Sequence, residues 1–501
     1  MTMKRTDFPI VGSLHEDIVT KINAERTINM YEVEFPQGKK PSYLHPTPGK
    51  LEIAPFSDGN AGRASFVFGI APNIFTYFVV GATIYRMDTS LVPVVLAASF
   101  FTTTTGYVAI SANQFEVIFM DGIKTYLFNT TTNVGTDITA SFPTGFVPFD
   151  VDFMDGYFIV ISKSTGQENK FYLSNLNDGA TWSTLDFALI NSRPTVLNGV
   201  AVLKRRIFFF GLTKSEVWQD AGFADFPFRR DNNLLLEHGV SAINSIDEGF
   251  ELLFYLSGDA DGVGSIMMVY GTSPEPISTP QMDEKIQMFT NPSDAIGFVY
   301  KINGQIFYQI SFQADDHTFV YNVNTKKWHE QQVLNGTRDT SVTHAFFDNK
   351  HFITTYNDSK LYQLSYAFLS NNGEKIKRTR ICRTMSSPTY ERIKHSRMQI
   401  DMLKGVGLIN TKGLNHFGPL APPPPSASDV NPEVFLSVSQ DGGITYMAMG
   451  TADFGAAGDR LIRIIWRQLG TYRDAIFKFE IFNAVPVYIL GGAIDYEVQP
   501  Q

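Results

Sequence analysis

Apolar and polar side chains alternate with a period near two along much of this chain. Ile306, Tyr308 and Ile310 interleave with Gln305, Phe307 and Gln309, the spacing of side chains on opposite faces of a strand. Elsewhere short apolar runs are broken by tight turns. Examples are Phe78-Val79-Val80-Gly81-Ala82-Thr83-Ile84-Tyr85, Phe115-Glu116-Val117-Ile118-Phe119-Met120-Asp121-Gly122 and Phe153-Met154-Asp155-Gly156-Tyr157-Phe158-Ile159-Val160. Further members centre on 206–218, 250–269, 298–307 and 346–362. The spacing of roughly 37–50 residues is that of propeller blades. Asp121-Gly122, Asp155-Gly156 and Asn303-Gly304 suit the positive φ of type I′ hairpin turns. Helical signals are few; the best covers 14–26, with Ser13 as a cap.

Seven such units between about 60 and 370 predict an all-β fold. A lone hairpin is marginal in water, and radial stacking buries both faces of each small sheet. The expected architecture is a β-propeller of six or seven blades with an additional C-terminal β module. A terminal strand completing a blade from the other end would shift the count by one. A pair of β-sandwiches is the competing architecture. The chain then divides into 1–59, an N-terminal arm with the first strands; 60–370, the propeller; and 371–501, the C-terminal module. Within the module, 414–430 contains Ala421-Pro422-Pro423-Pro424-Pro425-Ser426, which cannot join a sheet ladder and reads as a long exposed loop.

Composition narrows the class. Charged residues make up 18% of the 501, and aromatics 13%, with 42 Phe and 21 Tyr. A typical chain is about 25% charged. Disorder and long coiled coils are therefore excluded. The single cysteine, Cys382, excludes a disulfide framework and reads as a small buried apolar residue. No apolar stretch follows the N-terminal Lys4-Arg5, and none approaches 18 residues, so neither a signal peptide nor membrane insertion is expected. Folding in a reducing cytoplasm follows. The net charge of −9 is uneven. From residue 371 onward there are 15 Lys and Arg against 12 Asp and Glu, leaving 26 against 38 before it. An acidic first part argues against its gripping nucleic acid.

Candidate chemistry is sparse. Ser439-Gln440-Asp441-Gly442-Gly443-Ile444-Thr445-Tyr446 is similar to an Asp-box, the hairpin of sialidase-type propellers. Ser439, Asp441, Gly443, Thr445 and Tyr446 then serve as a structural turn: the carboxylate bonds its own backbone, glycine supplies positive φ and the aromatic packs beneath. Asn175-Leu176-Asn177-Asp178-Gly179-Ala180-Thr181-Trp182 is a looser copy. Asp150 and Asp152 could share a strand face, but glycoside hydrolysis needs two carboxylates opposed across a cleft. Asp259-Ala260-Asp261-Gly262 starts like a calcium loop, yet Val263 stands where an oxygen ligand belongs. No zinc-protease, nucleophile-elbow or phosphate-loop motif is complete. No catalytic, cofactor-binding or metal-ligating residue is assigned, and no cofactor is expected. Lys375, Lys377, Arg378, Arg380 and Arg383 form a basic strand that is a candidate partner contact, with phosphate binding, an edge protected by charge and an acidic partner protein as alternatives.

The two ends together carry a family resemblance. Ile28-Asn29-Met30-Tyr31-Glu32 followed by Leu44-His45-Pro46-Thr47-Pro48-Gly49-Lys50 resembles the opening of bacteriophage tail-hub proteins, also called packaged-DNA-stabilisation or head-completion proteins of short-tailed phages. The run from Phe435 to Gly442, then Arg460 to Gly470 and Phe477-Lys478-Phe479-Glu480-Ile481, resembles the same family's closing segment. In the middle, 200–218 is the closest stretch, and Pro422 to Pro425 departs from the pattern. The resemblance implies a structural virion protein without a catalytic site. It implies a hexameric ring of this chain in the tail, below the portal and its adaptor, assembled in the host cytoplasm. It also implies contacts with the tail needle and tailspike or fibre proteins, and double-stranded DNA that passes without sequence-specific binding. The alternative is a glycan-active or glycan-binding propeller of sialidase or glycosidase type.

Overall fold

A computed structural model describes residues 4–70, 73–191, 196–223, 226–259, 262–387, 389, 391–408 and 427–499; of the expected loop at 414–430, residues 414–426 lie outside them and Ala427–Val430 forms a short helix instead, and Ala260 and Asp261 of the calcium-loop-like stretch also lie outside. Seven small antiparallel sheets follow one another. The first blade starts at Gly62–Ile70, the second at Ala109–Ala112, the third at Pro148–Met154 and the fourth at Leu197–Leu203. The fifth, sixth and seventh start at Gly239–Gly249, Ile296–Ile302 and Ser341–Phe347. These seven first strands pack side by side in a ring, the last against the first. The seventh blade takes its fourth strand from the other end of the chain: Gly49–Pro55 pairs antiparallel with Lys360–Ser365, Lys50 opposite Leu364. The architecture is therefore a seven-bladed propeller, not a pair of sandwiches.

The apolar runs are continuous because each second strand is covered on both faces. In Glu116–Met120, Val117 and Phe119 point into the core shared with the first blade, while Ile118 and Met120 point into the core shared with the third. The same alternation sends Phe208 and Phe210 one way and Ile207 and Phe209 the other. Each of the seven blade interfaces has its own buried cluster, so closing the ring buries the last pair as fully as the first.

The C-terminal residues form a sandwich that the N-terminus completes. One sheet joins Lys4–Phe8, Met30–Glu34 and Ser42–Pro46 to Arg392–Met402, Ile464–Tyr472 and Ile489–Gln499. The other joins Ala24–Ile28 to Arg378–Ile381, Asp474–Ile481, Glu433–Ser439 and Met447–Asp453. Residues 4–59 are thus split between sandwich and ring closure. The helix expected over 14–26 does not form. His15–Glu16 pairs with Ala24–Ile28, which in turn pairs with Arg378–Ile381 and touches the sixth blade through Ile28 and Glu330. Ladder bonds from two neighbouring sheets outweigh a weak local helical preference. The longest helix among the described residues, Pro280–Gln287, instead has Thr279 as its cap and proline at its start.

Turn chemistry departs from expectation at one site. Asp155-Gly156 and Asn303-Gly304 have positive φ at both residues, but at Asp121-Gly122 only the glycine does. There the Asp121 carboxylate accepts from the Ile123 and Lys124 amides. Lys204-Arg205, Phe250-Glu251 and Asp348-Asn349 adopt the doubly left-handed form without glycine.

Within the sandwich core His395 is buried, between Tyr472 and Phe477, and neither ring nitrogen has a hydrogen-bond partner among the described residues. Burial lowers its pKa to about 4. The unfolded chain takes up a proton near 6.5 that the native sandwich refuses. Stability is complete above that value and falls as pH drops through the window toward 4. Replacing His395 with leucine should raise the stability measured by denaturant unfolding at pH 5 by about 1–2 kcal/mol, and change it less at pH 7.5. Parallel pH profiles for the two proteins would refute this.

Candidate functional site at the ring closure

The two N-terminal motifs meet where ring and sandwich join. Asn29 sits between two strands that belong to opposite sheets of the sandwich, with φ +56°. Asparagine is one of the few residues besides glycine that enters this region readily. Its buried side chain ties together three segments. The Nδ2 donates to the carbonyls of Gln332 and Lys377, each at 2.8 Å, and Oδ1 accepts from the Gln332 amide at 3.0 Å. Its own amide donates to the Glu330 carbonyl, and its carbonyl accepts from the Thr47 amide and hydroxyl. Two residues on, the Tyr31 hydroxyl meets that of Tyr366 at 2.6 Å, with its ring edge-on to Phe307.

Thr47-Pro48-Gly49-Lys50 then enters the closing strand. A side chain on Gly49 would overlap the carbonyl oxygens of Phe368 and Ser370, so close backbone approach requires glycine here. Lys50 is buried. All three of its protons find acceptors: Asp339 Oδ1 at 2.9 Å, Asp339 Oδ2 at 2.7 Å and Thr340 Oγ1 at 3.0 Å. Burial pushes the Asp339 carboxyl up, but Lys50 and the hydrogen bonds from Ser341 outweigh it and hold the group below the usual carboxylate range. Beside this latch, Arg26 grips the buried Glu330 carboxylate with two nitrogens, at 3.0 and 2.5 Å. The sequence motifs marked this place; their partners, 300 residues away, carried no sequence signal.

The basic strand is rearranged by burial. Arg378 and Arg380 are 1% and 0% exposed and cannot contact a partner. Arg380 donates to the carbonyls of Ile10 (2.7 Å) and Ser13 (3.1 Å), to Thr27 Oγ1 (2.9 Å) and to the Glu25 carboxylate. Arg378 donates to the Asn483 carbonyl at 3.1 Å. Lys377 faces outward and pairs with Glu480 at 2.8 Å. Lys375 is half-buried and Arg383 exposed. The strand Arg378–Ile381 is buried on both faces, which removes two of the five charges from the surface. Cys382, next in line, is buried, and burial pushes its thiol up to about 12, leaving it protonated.

In the turn at 439–446, the Ser439 hydroxyl donates to Asp441 Oδ1 at 2.7 Å and accepts from the Gly443 amide at 2.8 Å. Asp441 accepts from the amides of Ile444 and Thr445, and from Thr445 Oγ1 at 2.5 Å. These bonds, the one from Thr445 foremost, hold its carboxyl well below the usual range. Tyr446 packs against Ala24, Ile381 and Ile476, with Lys478 over its ring.

Asp150 and Asp152 do share a strand face, and they serve the ring. Asp150 accepts from the Tyr107 hydroxyl (2.7 Å) and the Val200 amide (2.8 Å); Asp152 accepts from the Val202 amide (2.6 Å). Both thereby staple the third blade to the fourth, and Asp247 staples the fifth to the sixth through the Val299 amide in the same way. Burial pushes Asp150 to about 6, and Asp152 and Asp247 to about 7. A raised carboxyl makes the native state hold a proton that the unfolded chain has released, so this contribution falls as pH rises through 7. Asp152→Asn, which keeps one acceptor oxygen for Val202, should raise the denaturant midpoint most at pH 8, less at pH 5, and leave it near wild type only below about pH 4. The reverse ranking would disprove the assignment.

A family model described as bacteriophage P22 Gp10, beta-propeller, matches residues 8–368, and one described as bacteriophage P22 Gp10, beta-sandwich, matches 390–497. The comparison with curated proteins finds no match. Similar solved structures include the computationally designed Ika8 protein, at 10% identity and a TM-score of 0.37, covering 63% of this chain and 99% of that one. A chain of a mitotic checkpoint complex is similar at 10% identity and a TM-score of 0.39, covering 67% of this chain and 97% of that one.

Proposed function

Since the chain belongs to the bacteriophage P22 Gp10 family, tail-hub or head-completion proteins of short-tailed phages, and is a structural protein of the phage tail, we propose that it forms the hub itself. In this reading six copies make a ring below the portal and its adaptor and close the DNA-filled head. They also seat the tail needle or tailspikes, and DNA passes through the ring on ejection. Assembly takes place in the host cytoplasm. The observation that carries the reading is the pair of family matches, which follow each other in order across most of the chain.

The physical design supports it. Seven interlocked apolar cores make a stiff block, Asn29 ties the sandwich strands to the segment that follows the sixth blade, and Lys50 holds the strand that closes the ring. The excess of acidic residues before 371 disfavours adhesion of phosphate backbones. The turn at 439–446 serves as a folding device in this reading, its hydrogen bonds being spent within itself. Electron microscopy of the purified chain mixed with portal–adaptor complex tests the proposal. Added six-fold density below the adaptor is expected; bare portal–adaptor particles at saturating protein would defeat it.

A further inference from the structure

Two features at opposite ends of the sixth blade, the second bordering the closing strand at Leu364, face outward. The first is a projection. The turn at 17–23 is closed by the Asp17 amide on the Asn23 carbonyl and by the Ile22 amide on the Val19 carbonyl. It abuts the turn at 439–446, where Gly442 lies against the backbone of Lys21. Together they hold four aliphatic side chains out to solvent: Ile18, Val19, Ile22 (69% exposed) and Ile444 (78% exposed). A cluster of this kind on a soluble surface marks a contact. Residues of both turns, Thr20 and Gly443, share a cleft with Asp316 and Gly336, so the projection lies at the end of the blade marked by the turn following Gln305–Phe312.

The second is a pocket of about 490 Å³ at the other end of that strand, beside Asn303-Gly304. Phe250, Ile302, Phe346 and Leu364 give it apolar walls, and Lys301 and Lys350 line it as well. Phe250 and Phe346 are each about half exposed. Eight extended residues separate the two features, about 26 Å at the rise of a strand, so the projection of one chain cannot fill its own pocket. An aliphatic projection and an aromatic-walled pocket on opposite ends of one molecule are the two halves of a heterologous contact, the kind that closes into rings. Charge agrees. The projection carries Asp17 and Asp441 against Lys21, and the pocket Lys301 and Lys350 against the Asp348 that pairs with Lys350, so a net negative projection meets a net positive pocket, which favours this approach and opposes like meeting like.

We propose that copies of this chain associate head to tail, the Ile22–Ile444 projection of one entering the Phe250–Phe346 pocket of the next. The inference rests on the hub reading for the number six, and on the geometry above for the contact.

The test uses full-length chains carrying Ile22→Asp with Ile444→Asp, or Phe250→Asp with Phe346→Asp. All four positions are exposed enough for the fold to survive, as circular dichroism and melting will verify. In sedimentation velocity, each variant should self-associate at least tenfold more weakly than wild type. Their equimolar mixture has one intact projection and one intact pocket to join, and should stop at dimers. Wild-type assembly by either variant, or growth of the mixture past dimers, overturns the proposal. If the wild type sediments as a monomer, the same proteins are added to portal–adaptor complex. Loss of the added density with both variants supports the contact, and full six-fold density with either overturns it. Self-association blocked by these substitutions but without density on the adaptor would remove the hub reading alone. A wild-type chain that neither self-associates nor adds density overturns both.

Discussion

Replacing Lys50 with methionine lowers stability by about 3–5 kcal/mol, the usual cost of stranding one partner of a buried ion pair. The ammonium gives all three protons to Asp339 and Thr340. Without it, Asp339 keeps the Ser341 amide but loses both of its close charged contacts. The loss falls on the strand that closes the ring. Hydrogen exchange should therefore quicken in peptides covering Gly49–Pro55 and Lys360–Ser365 before it does in the middle blades. Pairing the change with Asp339→Leu should return most of the loss, because a buried ion pair taken as a unit stabilises little over apolar groups of similar size. A loss under about 1 kcal/mol for the single change, or no recovery in the double, would show that the latch lies elsewhere. Acid should act in the same direction. Asp339 is held below its ordinary value, so the pair's contribution is whole above about pH 4 and is lost as pH falls below it.

Arg380→Met is expected to be as severe, about 3–5 kcal/mol, but in the sandwich. This guanidinium is fully buried and holds two carbonyls of the N-terminal segment, the Thr27 hydroxyl and the Glu25 carboxylate. Removing it leaves a carboxylate and several backbone oxygens with fewer donors in a dry place. Arg380→Lys should restore less than half of the loss, since one ammonium cannot reproduce a planar fork reaching several acceptors at once. Limited proteolysis checks the location. Cleavage within 10–23 should accelerate in both variants while the propeller stays resistant. Uniform sensitivity along the chain, or a lysine variant as stable as wild type, would contradict the assigned role.

Several features could be read from residues alone. Runs such as Val117-Ile118-Phe119-Met120 signal strands covered on both sides, and their recurrence signals repeated sheets. The hairpins at Asp155-Gly156 and Asn303-Gly304 follow from local backbone preference. Lys204-Arg205 and Phe250-Glu251 reach the same left-handed geometry against that preference, because the flanking strands are paired along their length and impose the turn. Residues 14–26 show the converse, a helical pattern overridden by two neighbouring sheets. The five basic residues from Lys375 to Arg383 look alike in sequence, yet two are interior and one is exposed.

The division has one physical cause. Side-chain periodicity and turn preference are set by covalent geometry within a few residues, so an all-β chain of repeated hairpins with a distinct last quarter is legible from the residues. Which strand completes the seventh blade, what Asn29 holds together and which arginines are dry depend on segments some 300 residues apart meeting after collapse. Local preference is silent on such contacts, because loop closure over that distance costs nearly the same for many candidate partners, and the choice falls to whichever surface buries its polar groups fully satisfied.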